Sequence, residues 1–248
     1  AQELRRIIQA SRHGLPAPRL VAITHWHWDH IFGAAALDVP AIASRETRRV
    51  ARVLAGLRWD DESLDRRVEA GEEIAFCRDM IKAELPDRSG LEVRPPEIGF
   101  DGEIEVDLGG ALCRLIHVGG DHSPDGIVVH APAERVVFLG DAIYDDLYHG
   151  PRRLTAGRIF PLLDRLLALD ADHYVGGHDP EPLTRAALAA EAADLRAIWA
   201  AVARIGDDRE ALLAALPEAL GAPPNEGHVM IADAFLAGLR LPEVSSPF

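Results

Sequence analysis

Apolar residues in the first half of the chain come in short bursts, and the bursts alternate between two periods. Residues 3–12 carry Leu4, Ile7 and Ile8 on one side, which predicts a helix ended by His13-Gly14-Leu15-Pro16. Arg19-Leu20-Val21-Ala22-Ile23 is a short run rich in β-branched residues and predicts a buried strand. Residues 31–37 read as a helix, with Gly33 and the alanines allowing close packing, and residues 39–43 read as a strand. Ser44 is placed to cap a helix from Arg45 to about Leu57, with Glu46 in its first turn. Residues 60–85 are charge-rich, with a helical beat through Leu64, Val68, Ile74, Cys77 and Ile81, and predict one or two exposed helices. A loop with Pro86, Gly90, Pro95 and Pro96 follows. The pattern then turns to β at 103–108, 111–118, 126–131 and 135–139, with Gly109-Gly110 as a hairpin turn. An amphipathic helix over 156–170, a strand over 172–175, and an alanine-rich helical region from Pro182 to near Arg240 complete the chain. This mixed order fits neither a doubly wound sheet nor a helical bundle. It predicts a mixed α/β (α+β) fold, a two-sheet core covered by helices.

Composition narrows the choice. At 248 residues the chain is long enough for one sizeable domain or a core with an appendage, and 48% hydrophobic with 27% charged residues is ordinary for a globular protein. A formal charge of −14 disfavours nucleic acid as a partner, because polyanions are repelled. Bound divalent cations would still invert the local field and admit an anionic substrate. No apolar run approaches the ~20 residues of a membrane span, and residues 1–10 contain no apolar signal core, so a cytoplasmic setting without membrane partners is the default expectation. Cys77 and Cys113 are far apart and predict small buried hydrophobes rather than a disulfide framework.

The chemistry concentrates in Thr24-His25-Trp26-His27-Trp28-Asp29-His30, where the first strand ends. His25 and His27 are two apart, so in extended backbone they point to one side and can share a metal. Asp29 and His30 follow where the chain should bend into a helix and can face a second metal beside the first. Imidazole with carboxylate suits zinc first, with iron or manganese as alternatives. A dinuclear site needs further donors, and three turns at predicted strand ends offer them: Gly119-Gly120-Asp121-His122-Ser123, Leu139-Gly140-Asp141 and Val175-Gly176-Gly177-His178. In each, glycine removes a side chain that would keep the backbone away from the metals.

This ordered set resembles the metallo-β-lactamase superfamily over roughly residues 1–200. The resemblance implies an αββα sandwich with a metal site at one edge of its two sheets. It implies that His25, His27 and His122 hold one metal, that Asp29, His30 and His178 hold the other, and that Asp141 bridges them. It also implies a metal-bearing domain over 1–185 with a helical insertion at about 45–85, and a helical extension over 186–248 packed on it. Two departures stand out. Gly120-Asp121 precedes His122 where the family usually has proline-glycine, so Asp121 either orients an imidazole or faces solvent. The several strands that normally open the family's chains are missing, and the sequence starts with Ala1. The expectation is a longer natural polypeptide; without those strands one sheet edge would be open to pairing with another copy, as a homodimer.

Two metals sharing Asp141 would share a water whose pKa falls to roughly 7, so no serine or cysteine nucleophile is needed. The Gly-x-Ser-x-Gly signature is indeed absent. Tyr144, three residues after Asp141, looks like the tyrosine that contacts the substrate carbonyl in the family's acyl-homoserine lactonases, and Asp29 and Tyr144 are the catalytic candidates. Trp26 and Trp28 are expected to wall the metals, with at least one of them in the core. His117 and His130 are expected to pack or to support ligands, and His13, His149, His173 and His228 to lie at the surface or in hydrogen bonds. The expected activity is hydrolysis of a small-molecule ester, lactone or related carboxylic derivative. The alternatives are a thioester hydrolase resembling glyoxalase II, a mononuclear iron persulfide dioxygenase, or a non-catalytic binding module, against which the complete ligand set argues.

Overall fold

The structure, a computed structural model, describes residues 17–240; the helix expected over 3–12 lies outside them. Backbone contacts divide the described residues into two units, 17–102 and 103–240. No helix among the described residues is long and apolar enough to cross a membrane.

The first unit holds a three-stranded sheet in the order β1 (Val21–Ala22), β2 (Ala41–Ser44), β3 (Ile98–Phe100), parallel throughout. β2 is buried along its whole length, as a central parallel strand should be. Strand β3 escapes sequence reading because Ile98-Gly99-Phe100 is too short to show a period. It exists through its register with β2, Ile42 opposite Ile98, and not through local propensity. Helix α1 (Trp28–Ile31) begins earlier than the apolar pattern predicts and is followed by a 3-10 turn, Ala34–Leu37. The expected continuous helix over 31–37 is therefore broken. Gly33 sits between the pieces, and Asp38 closes the turn in a left-handed conformation with φ 54°.

Helices α2 (Arg45–Leu54), α3 (Asp61–Glu69) and α4 (Ala75–Glu84) occupy the chain between β2 and β3. The Ser44 hydroxyl accepts from the Thr47 amide at 3.0 Å, the capping bond expected of it, which contributes about 1 kcal/mol. Asp60 does the same for α3 through the Ser63 amide. Leu64, Cys77 and Ile81 are buried, so the helical beat over 60–85 marks inward faces on otherwise exposed helices.

The second unit holds a six-stranded sheet in chain order: β4 (Glu103–Asp107), β5 (Leu112–His117), β6 (Ile127–Ala131), β7 (Val136–Gly140), β8 (His173–Gly176) and β9 (Leu183–Thr184). Every pairing is antiparallel except β7 with β8, which are joined by the crossover helix α5 (Ala156–Ala168). It follows that β5, β7 and β8 run in the same direction, and that their C-terminal ends lie along one edge. That edge is where the chain delivers His122, Asp141 and His178.

Three further helices, α6 (Arg185–Ile205), α7 (Arg209–Leu220) and α8 (Glu226–Arg240), follow β9. Their apolar stripes share one core with the sheet. Ile116, Val128, Val137 and Tyr174 meet Leu162, Leu166, Leu188, Val202, Leu212 and Phe235 in a single buried cluster. Phe235 is fully buried, with its ring 5.4 Å from Trp199 and 6.1 Å from Phe160.

Candidate metal centre

In the first unit the residues 24–30 form a compact knot of donors. His27 keeps an extended backbone (φ −60°, ψ 148°) as the residue just before α1, so His25 and His27 do fall to one side. Their ring centroids are 4.4 Å apart, and His25 and His30 are 4.1 Å apart. Helix α1 brings Asp29 into play, with its carboxylate Oδ2 3.4 Å from His30 Nε2. The Thr24 hydroxyl lies 3.1 Å from His25 Nδ1 and 3.4 Å from His30 Nδ1, so it addresses the inner nitrogen of both rings. That leaves each Nε2 as the outward donor, the usual way a neighbouring polar group sets the nitrogen that binds.

Trp26 is buried, its ring edge-on to His27 at 4.6 Å. Trp28 is half-buried and leans on Phe32, and Phe32 meets Trp59 edge-on at 4.6 Å. The Arg67 guanidinium of α3 covers the Trp59 ring at 4.7 Å. This relay of rings ties the donor-bearing helix α1 to the helices between β2 and β3.

In the second unit three donors meet at one oxygen. Asp141 Oδ2 lies 3.2 Å from His122 Nε2 and 3.2 Å from His178 Nε2. Asp141 and His122 are buried, whereas the His178 side chain is 56% exposed. His122 Nδ1 sits 3.0 Å from the Asp145 carbonyl, which makes it the protonated nitrogen and leaves Nε2 as the donor. A Cβ at Gly120, whose φ is +127°, would lie 2.9 Å from the Ala142 carbonyl, so glycine lets the His122 turn touch the Asp141 loop.

These distances fit a metal centre. Bonds of about 2.0–2.2 Å spread over tetrahedral angles place neighbouring donor atoms roughly 3.3 Å apart, close to the spacing around Asp141. In the first unit, ligand atoms of His25 and His27, of His25 and His30, and of Asp29 and His30 lie within 4.8 Å of one another. The donor chemistry, imidazole with carboxylate, also suits a divalent ion.

Asp121 faces neither solvent nor an imidazole. It is buried, and its carboxylate accepts from the Thr155 amide at 2.8 Å and the Thr155 hydroxyl at 2.7 Å, so it pins the His122 turn to the start of α5. Burial pushes its carboxyl above the usual range, and the two Thr155 bonds pull the other way. Tyr144 stands between the two imidazoles: its ring is 6.1 Å from His122 and 6.3 Å from His178. Its hydroxyl donates to Asp179 Oδ2 at 2.7 Å, and burial together with that bond holds the phenol protonated well above its ordinary pKa.

His117, His130 and His149 take structural roles, and His13 lies outside the described residues. His130 is buried with Nε2 3.2 Å from the Asp170 carbonyl, and His117 Nε2 is 2.9 Å from the Pro124 carbonyl. His149 pairs through Nδ1 with buried Asp146 at 2.8 Å, beside Arg153, and so helps fold the loop after β7. Thr24, Asp145 and Asp179 are the supporting residues that sequence reasoning missed. Thr24 had a signal, standing directly before the donor run; Asp145 acts through its carbonyl and had none.

Comparison with known proteins accords with this picture. Residues 1–198 match the family model for the metallo-beta-lactamase superfamily. The chain is 27% identical over 138 residues to an acyl-coenzyme A thioesterase from Gallus gallus, covering 52% of this chain and 43% of that protein. It spans less than half the length of the curated relatives it matches. A beta-lactamase domain protein from Burkholderia ambifaria superposes with a TM-score of 0.56 at 17% identity, covering 93% of this chain and 69% of that one. A metallo-beta-lactamase family protein from Thermus thermophilus gives 0.55 at 18% identity, covering 96% and 80%. At such identities the likeness concerns the fold.

Proposed function

Because the chain belongs to the metallo-β-lactamase superfamily, we propose that it is a metal-dependent hydrolase of a small carboxylic derivative, a lactone or other ester first. The observation that carries the reading is the meeting of His122 and His178 at one oxygen of buried Asp141. A carboxylate shared by two imidazoles in this way is suited to bridging a pair of ions. In this reading His25, His27 and His122 would hold one ion, Asp29, His30 and His178 would hold the second, and Asp141 would serve both. Zinc suits the set best.

Divalent ions held there would supply Lewis acidity and bring the pKa of a water down to about 7. The protein's own residues do the rest. Thr24 fixes which nitrogen His25 and His30 present, and the Asp145 carbonyl does the same for His122. Asp29, the exposed carboxylate of the set, is the candidate to accept the proton that the attacking water gives up. Half-buried Trp28 offers an apolar wall for the non-reacting part of the substrate, while fully packed Trp26 belongs to the core. A thioester is the second substrate class, favoured by the match to a relative named as an acyl-coenzyme A thioesterase.

The test is a screen of metal-loaded protein against lactones, simple esters, thioesters, β-lactams and phosphodiesters. Turnover of lactones or esters above the other classes is expected. A single iron per chain with oxygen consumption, or no hydrolysis in any class, would sink the hydrolase reading.

A further inference from the structure

We propose that Tyr144 and Asp179 form a latch that positions His178, and that Tyr144 does not act as a hydrogen-bond donor to the substrate. The proposal rests on the reading of His178 as a metal ligand and deepens it. The His178 side chain is 56% exposed, so packing alone does not fix its ring. The turn that carries it is held at two points. The Gly177 amide donates to the Gly140 carbonyl at 2.9 Å, joining it to the end of β7. The Tyr144 hydroxyl donates to Asp179 Oδ2 at 2.7 Å, joining the residue next to His178 back to the Asp141 loop. Tyr144 is itself anchored there, its amide donating to the Asp141 carbonyl at 2.9 Å.

The ring of Tyr144 lies nearly parallel to His178, with an interplanar angle of 29°, and edge-on to His122 at 79°. It therefore braces both imidazoles that meet at Asp141. Gly176 makes the latch sterically feasible. A Cβ there would sit 2.2 Å from Asp179 Oδ2 and 3.2 Å from the Tyr144 hydroxyl oxygen. A phenol carries one proton, and here a carboxylate holds it, a stronger acceptor than a neutral substrate carbonyl. The role that resemblance to lactonases implies for Tyr144 would require that bond to break.

The experiment compares the metal-loaded wild type with Tyr144→Phe, Asp179→Ala, Asp179→Asn and the Tyr144→Phe/Asp179→Ala double variant. Metal affinity is read by cobalt titration and chelator competition, and kcat and KM are read alongside. Loss of a group that orients a ligand weakens metal binding by about 10–100-fold. Tyr144→Phe and Asp179→Ala should each weaken one of the two ions by that factor and leave the other unchanged. The double variant should be no weaker than either single variant. Asp179→Asn should restore binding to within a few-fold, because its side-chain carbonyl still accepts from the tyrosine. Wild-type affinity in Tyr144→Phe with a reduced kcat would overturn the latch in favour of a substrate contact, as would wild-type affinity in Asp179→Ala. Uptake of two ions with no hydrolysis of any ester would sink the substrate reading and leave the latch standing. A wild-type chain that takes up no metal would overturn both.

Discussion

Asp141→Ala is expected to lower hydrolysis by at least about 1,000-fold, equivalent to roughly 4 kcal/mol of lost transition-state stabilisation. The size follows from what its carboxylate touches. One oxygen faces two imidazoles at 3.2 Å, so removal takes the shared member from both proposed metals at once. The remaining ligands proposed for each ion would hold it less tightly, so at least one ion is expected to be lost. Circular dichroism should be unchanged, because Asp141 caps no helix and carries no strand pairing. Steady-state rates on the best ester from the screen decide the matter. A variant that retained even a tenth of wild-type kcat/KM would mean that Asp141 is not the bridge.

The second large effect concerns stability. Phe235→Ala should cost about 3–5 kcal/mol, since a fully buried phenylalanine loses both its transfer free energy and the packing around the cavity it leaves. Phe235 has no exposed surface and stands against Trp199 and Phe160, which links α8 to α6 and α5 in the core that also covers the six-stranded sheet. A loss of that size is a large part of the roughly 5–15 kcal/mol that holds a typical domain together. For a chain of this length it corresponds to a fall of about 6–20 °C in Tm, measured by calorimetry. A shift below about 2 °C would show that α8 is not part of the core that sustains the sheet.

What could be read from the sequence divides along physical lines. The donor run from His25 to His30 was legible because all of its chemistry lies within six consecutive residues. The hairpin of β4 and β5 was legible because Gly109 and Gly110, both with positive φ, turn it locally. Strands β3 and β9 were not, because Ile98–Phe100 and Leu183–Thr184 become strands only through partners distant in sequence. The position of Asp141 beside His122 and His178 was inferred from glycine-flanked turns and a family resemblance. Its physical cause is the shared direction of β5, β7 and β8, which no local pattern displays. Asp121 shows the same limit. Its neighbour in sequence is a ligand, yet its carboxylate serves Thr155, 34 residues away. The partnership of Tyr144 with Asp179 spans 35 residues and left no trace in spacing.

The most direct measurement is the divalent metal content per chain, by elemental analysis after loading and desalting, of wild type, His27→Ala and Asp141→Ala. His27 is a proposed ligand of one ion, and Asp141 a proposed ligand of both. The dinuclear reading predicts about two ions in the wild type and the loss of at least one in each variant. A wild type that holds none, or two variants that both keep two ions, would contradict it.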